Sequence, residues 1–189
     1  MPLQSSEYTI RRKVFKLFGA AFHVYDQSGA LVGYSKQKAF KLKEDIRIYT
    51  DESMSTEVLT IQARNIVDFS AAYDIVDTRV GETAGTARRK GWSSIVRDSW
   101  ELLDASGSPV ATIQEDSMMM AMLRRLFANF VPQNFSVADA SGREHAEFRQ
   151  VFNPFIYKLT VSLARDSTID PRLILGAAVL IAAIEGRQE

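Results

Sequence analysis

Between Leu173 and Ile184 the chain reads LILGAAVLIAAI, twelve consecutive residues without one polar side chain. Such a segment has to hide from water on every side, and a helix that is apolar all round is a buried one. Asp170 stands at the N-cap position and Pro171 at the first helical position, while Gly186 next to Arg187 marks the end, as helix boundaries and the helix dipole favour. At about 1.5 Å per residue the apolar run is about 18 Å long, against about 30 Å of bilayer hydrocarbon. It is too short to span a membrane alone. It predicts a central core helix, and the rest of the chain has to supply the wrapping.

That wrapping is β structure, written as one hairpin pattern used repeatedly. Apolar alternation runs into Asp, a short polar turn, and more alternation: FHVYDQSGALVGY around Asp26 and Gly29, YDIVDTRVGETAG around Asp77 and Gly81, WELLDASGSPVAT around Asp104 and Gly107, and FSVADASGREHAEF around Asp139 and Gly142. Three of the four read D-x-S-G, and IRIYTDESMSTEVLTI around Asp51 is a looser fifth copy. Asp and Ser make local bonds to the turn backbone and Gly supplies a positive φ, so these are hairpin loops with a mechanism. Turns recurring every 25 to 35 residues or so are a repeat signature.

Taken in order, Tyr8 to Phe18 alternates from Val14 onward and reads as a first strand carrying a basic cluster, Arg11, Arg12 and Lys13. Short alternating strands follow at about 20–26, 30–38, 43–50, 56–64, 71–77, 82–90, 98–104, 108–115, 133–139, 143–151 and 156–164. One helical stretch interrupts them. Ser117 can cap a helix through Phe130, with Met118, Met122, Leu126 and Phe130 at four-residue spacing, and its expected place is across a barrel mouth. Trp92 and Trp100 are expected in the core or at the rim. The total is twelve strands and two helices, with the fully apolar helix last. About eight strands close into a barrel that side chains alone can fill, whereas twelve leave a wide lumen needing a plug. The fold class read from the sequence is therefore mainly β, a twelve-stranded closed antiparallel barrel of repeated hairpins enclosing the C-terminal helix, with residues 1–189 as one domain.

Composition excludes more than it assigns. The 189 residues are 46% apolar, enough for a sizeable core. Lys plus Arg and Asp plus Glu each number 23 and the pI is near 6.8, so no nucleic-acid partner is expected. The absence of cysteine removes disulfides, thiol chemistry and cysteine-based metal sites. With no apolar h-region in MPLQSSEYTIRRK, secretion by a signal peptide is not expected, and the expected location is cytoplasmic or peripheral to a membrane.

These segments together resemble the tubby C-terminal-like superfamily, and within it the LURP-one-related and phospholipid scramblase-like proteins. The resemblance rests on FHVYDQSGALVGYSKQKAFKLKEDIRIYTD, on YDIVD followed by GETAGTARRKGWSSIVRDSWELLDASGSPVATIQED, and on DPRLILGAAVLIAAIE, in that order. It implies a twelve-stranded barrel threaded by an apolar C-terminal helix. It also implies, from the phosphoinositide-binding tubby proteins, lipid headgroup contacts at basic residues on the barrel. The matching positions are Lys36, Lys38, Lys41 and Lys43, or Arg88, Arg89 and Lys90. Scramblases carry an acidic calcium loop before the last helix, and here that region is ARDSTIDPRL, with Asp166, Asp170, Ser167 and Thr168 as the candidate oxygens. Calcium takes six to eight oxygen ligands, so the expectation is that Asp170 caps the helix and Asp166 lies in a solvated turn. The resemblance does not extend to the proline-rich extension or the palmitoylated cysteines of scramblases, so membrane anchoring by that route is not expected.

No catalytic, cofactor or metal site is expected. His23 and His145 each sit inside an alternating strand without a metal-spaced partner, there is no G-x-S-x-G elbow, and Gly81, Gly85 and Gly91 lack the Walker spacing. The adjacent acids Glu44 and Asp45, and Glu115 and Asp116, stand at strand ends and alternate to opposite faces, and they read as solvated turns. The functional expectation is a non-enzymatic binding or scaffold module that contacts anionic membrane lipid, an apolar ligand beside the plug, or a protein partner. The alternative is an enzyme acting on a lipid-like substrate within the barrel. The plug itself is testable: deleting residues 171–189 is expected to leave no soluble barrel, and a truncated chain that gel-filters as a monomer and melts cooperatively by circular dichroism would refute the architecture.

Overall fold

The computed structural model describes residues 5–15, 19–37, 45–64, 72–90, 99–115, 133–151, 153 and 156–185. Twelve strands and one helix lie among them: β1 Glu7–Phe15, β2 Gly19–Asp26, β3 Leu31–Gln37, β4 Asp45–Tyr49, β5 Glu57–Ala63, β6 Ala72–Asp77, β7 Glu82–Arg89, β8 Ser99–Leu103, β9 Pro109–Glu115, β10 Asn134–Ala138, β11 Glu144–Val151, β12 Tyr157–Leu163 and α1 Pro171–Glu185. The helix expected over 117–130, Trp92 and the residues beyond Glu185 lie outside the described residues. Each strand pairs antiparallel with its sequence neighbours, and β1 pairs with β12 to close the barrel. The seam between β3 and β4 carries a single described pair, Tyr34↔Tyr49.

Alternation decides what each strand turns inward. Ile10 on β1, Phe22 and Val24 on β2, Ile46 and Ile48 on β4, Ile75 on β6, Ile113 on β9, Phe148 on β11 and Leu159 and Val161 on β12 are at most 2% exposed. All of them belong to one apolar cluster with α1, whose residues Leu173, Ile174, Leu175 and Ala177 to Ala183 are buried in turn. α1 packs against β1, β5, β6, β7 and β12, which confirms the plug. Its slim positions are contact positions. A Cβ on Gly176 would lie 2.8 Å from Ile75 Cγ2, so β6 approaches the helix axis there as closely as a bare backbone allows.

Two expectations are corrected by the same alternation. The first strand alternates from Tyr8, not from Val14, and this splits the basic cluster: Arg12 faces inward at 4% exposure, 5.8 Å from the Phe22 ring, while Arg11 and Lys13 are exposed. Glu115, read as part of a solvated turn, is 8% exposed, because it continues the inward series Ala111, Ile113 along β9. A side-chain period of two does not stop at a polar residue.

The D-x-S-G turns are close copies. Asp26 Oδ1 accepts the Ser28 N–H at 2.9 Å, its hydroxyl at 2.6 Å and the Ala30 N–H at 3.0 Å. Asp104 does the same with Ser106 and Ser108, and Asp139 with Ser141 and Arg143. Gly29, Gly107 and Gly142 close these turns at φ of 83°, 85° and 85°. The serine hydroxyl is the first cause holding the Asp26 and Asp104 carboxyls below the usual carboxylate range.

Two predictions follow from this geometry. A carboxyl lowered in the folded state contributes stability above its unfolded pKa of about 3.9, and that contribution is lost as pH falls through the folded value. The melting temperature is therefore expected to drop below about pH 4. The double change Asp26→Asn, Asp104→Asn keeps an acceptor oxygen but removes the charge, so it should flatten that acid limb in thermal melts; an unchanged slope would overturn the assignment. The second concerns Gly85, at φ 148°, where a Cβ would fall within contact distance of the Leu103 carbonyl oxygen and 2.9 Å from Leu173 Cδ2. Gly85→Ala is expected to cost about 2 kcal/mol or more, through strain and overpacking together. Gly107→Ala, with nothing within 4 Å of the new methyl, should cost clearly less in the same urea titration.

Candidate functional site

The barrel register gathers cations on one stretch of outer wall. Lys13 on β1 and Lys36 on β3 both lie opposite Ala21 of β2, so they flank it across three strands. Arg11 lies opposite His23 on one side and Lys158 of β12 on the other. At about 4.8 Å between strands and about 6.8 Å between alternate residues, the four positions cover three strand spacings, a patch of about 14 Å by about 7 Å. Arg11, Lys13 and Lys36 are exposed and Lys158 is half-buried. Among the described residues none of the four forms an ion pair with a carboxylate. Of the four lysines that the resemblance pointed to, Lys36 stands in this patch; Lys38, Lys41 and Lys43 lie outside the described residues.

An aromatic cluster adjoins Arg11 on this wall. Arg11 Cζ stands 4.8 Å from the Tyr25 ring centroid, and His23 stacks on Tyr25 at 6.2 Å and meets Tyr34 edge-on at 5.0 Å. His23 is on the outer face yet only 5% exposed, because Glu52 from the β4–β5 loop reaches over it and holds Nε2 at 2.8 Å. Burial pushes the Tyr34 hydroxyl pKa up, with the Glu52 charge as a second cause. The other basic group behaves differently. Arg88 hydrogen-bonds Glu101 across the β7–β8 pair, and Lys90 Nζ lies 3.8 Å from the same carboxylate. Arg89 faces the other way, opposite Trp100.

At the barrel end where α1 begins, charged groups are spent on holding the helix. Asp170 caps it: Oδ1 accepts the Arg172 N–H at 2.8 Å and its carbonyl accepts the Leu173 N–H at 3.0 Å. Arg172 reaches Asp170 at 2.8 Å, Glu82 at 3.3 Å and Asp77 at 3.2 Å; Asp77, 1% exposed, also takes the Arg79 guanidinium. Asp166 is 2.8 Å from Arg143. Both carboxylates of the would-be calcium loop thus have cationic partners, and among the described residues no acidic or histidine group is arranged to hold a metal ion.

His145, which the sequence showed only as a strand histidine without a metal-spaced partner, is tied to two other side chains. It is 2% exposed, with Nε2 at 3.2 Å from Asp139 Oδ2 and Nδ1 at 3.2 Å from Ser167 Oγ. Asp139 is lowered well below the ordinary carboxylate range, by Ser141 first and His145 second. With Nε2–H given to Asp139, Nδ1 accepts the Ser167 hydroxyl, an order that elsewhere activates a serine nucleophile. Here Ser167 Oγ also accepts the Ile169 N–H at 3.3 Å, which ties it into its own turn. The chain is a strap from the β10–β11 hairpin to the segment entering α1. Beside that segment opens a cavity of about 220 Å³ whose wall includes Ser167, Arg165 and Ile174. The usable sequence signal was Asp139 with a histidine six residues on, across one hairpin; Ser167, 22 positions away, gave none.

The chain belongs to the LURP-one-related family, whose family model matches residues 31–182. It is similar in structure to an Arabidopsis thaliana protein solved by X-ray crystallography, at a TM-score of 0.52 and 14% identity, covering 97% of this chain and 94% of that one. At that identity the likeness shows the fold alone. No curated protein sequence matches. Barrels of this family are generally non-enzymatic. Among the described residues, no helix is long and apolar enough to cross a membrane.

Proposed function

We propose that the protein is a non-enzymatic binding module whose β12–β1–β2–β3 wall docks on anionic lipid headgroups. One observation carries the reading: Arg11, Lys13, Lys36 and Lys158 share one outer face and, among the described residues, have no carboxylate partner. A cluster of that kind raises the local potential for phosphate and carboxylate groups, and no internal ion pair has to break first. Each basic residue near an anionic leaflet contributes about 1 kcal/mol, so the patch supplies about 4 kcal/mol at low salt, decaying within a Debye length of about 10 Å at 0.1 M. Tyr25 and Tyr34, half-buried and buried beneath the cations, stiffen the surface from which they project. The group at Arg88 and Lys90 is the weaker candidate because Glu101 neutralises part of it. The alternative of a lipid-like substrate inside the barrel needs a lumen that α1 already occupies.

Sedimentation with vesicles tests this. The protein is expected to pellet with phosphatidylserine-containing vesicles at low salt, to stay in the supernatant with neutral phosphatidylcholine, and to be released by about 0.5 M salt. Lys13→Glu, Lys36→Glu should abolish pelleting with little change in melting temperature, whereas Lys90→Glu should leave most of it. Absence of pelleting by the unmodified protein sinks the proposal.

A further inference from the structure

The barrel end beside the first turn of α1 holds a site unrelated to the cationic wall. Its cavity of about 220 Å³ has the volume of about seven liquid waters at ~30 Å³ each, room for an organic group of about ten heavy atoms. The floor is apolar, made by Leu163 at the end of β12 and by Ile169, Pro171 and Ile174. The hydroxyls on the wall are already committed: Ser167 Oγ to His145 and the Ile169 N–H, Ser5 Oγ to the Glu7 carbonyl, and Ser6 Oγ to Gln27 Oε1. That leaves Arg165. It is exposed at the rim and, among the described residues, forms no ion pair, although its neighbour Asp166 is held by Arg143 and Asp170 by Arg172. The acids that would otherwise neutralise Arg165 are thus taken up by other cations.

The geometry points to a binding site for a small amphipathic monocarboxylate, with its hydrocarbon part on the Leu163, Ile169 and Ile174 floor and its carboxylate on Arg165. An apolar cavity with a few placed polar groups is the usual form of a small-molecule site, and this one is below the common size range of about 300–1,000 Å³, which selects a short chain. The rigid parts of the site are the reason it stays open. Ile174 belongs to the plug, and the His145 strap fixes the loop from Ala164 to Asp170 from behind, with the Ala164 N–H bonded to the His145 carbonyl at 2.9 Å. A guanidinium at the mouth then discriminates by charge, while the floor discriminates by chain length.

Octanoate, octylamine and propionate, titrated by calorimetry and by methyl NMR, read this directly. Octanoate is expected to bind, to shift the Leu163, Ile169 and Ile174 methyl signals, and to bind more tightly than either octylamine or propionate. In Arg165→Glu the order of octanoate and octylamine should invert; an exposed charge contact is worth about threefold to fivefold in each direction. Ala164→Phe, which places a ring in the cavity, should remove both ligands while circular dichroism melting verifies that the barrel is intact. If Ala164→Phe does not fold, Arg165→Glu alone decides, since its readout is a preference and not a loss. Absence of octanoate binding by the unmodified protein, an order unchanged by Arg165→Glu, or octanoate retained in a folded Ala164→Phe would each overturn the assignment. Vesicle pelleting through the outer wall does not enter these measurements, so the two sites stand or fall separately.

Discussion

A closed sheet of twelve strands encloses more space than its own inward side chains can fill, and everything else in this protein follows from filling it with a helix. From Leu173 to Ala183 α1 is buried on all sides, so this stretch has no polar face to offer and its sequence can be apolar throughout. The barrel in turn has to receive a rod about 10 Å across, including side chains. It does so with small residues where the approach is closest, Gly85 on the sheet against Leu173 and Gly176 on the helix against Ile75. Bulk and slimness are distributed so that the two surfaces meet without voids or clashes, which is where a core of this type gains its specificity.

A buried rod also needs an end that tells it where to stop. From Leu173 to Ile184 the helix carries no charge, whereas its first turn is surrounded by Asp77, Glu82 and Asp170 on Arg172, and by the Asp139–His145–Ser167 strap one loop away. Ionic groups at a barrel mouth contribute less than apolar burial, because partial exposure screens them. Their value is positional, since Arg172 satisfies a nearly fully buried Asp77 only when the helix sits at one depth. The same end carries the cavity with Arg165 at its rim, so the machinery that registers the plug also shapes a concave surface.

The outer wall obeys a different logic. There the alternation places polar residues wherever the inner face takes apolar ones, and on six of the twelve strands such groups neutralise each other: Arg47 with Asp45 and Glu57, Arg64 with Asp74, Arg88 with Glu101, Arg149 with Glu147. The β12–β1–β2–β3 wall departs from that pattern, with cations side by side and the Tyr25 ring against Arg11. Like charges placed together on a sheet are unfavourable for folding. Their retention on the surface of a LURP-one-related barrel is what makes this wall the place to look for a charged partner.

Much of this was legible in the chain. The LILGAAVLIAAI run, the D-x-S-G turns and the alternation between them are local signals, each readable within about a dozen residues, and together they imply the number of strands, the hairpin connectivity and the plug. What alternation implied at Arg12 was missed where the basic triplet was read as one group, and at Glu115 the acidic pair was seen to alternate between faces yet was still read as a solvated turn, until the period of two put one member of each in the interior. The sites were not legible, because they are made by neighbours that no local pattern relates. Arg11 meets Lys158 only through the closure of β1 on β12, Arg172 meets Asp77 across 95 positions, and Ser167 meets His145 only once the loop before α1 folds over the β10–β11 hairpin. Local chemistry decides which way each side chain points, but closure and register decide which side chains it points beside, and these are properties of the assembled barrel.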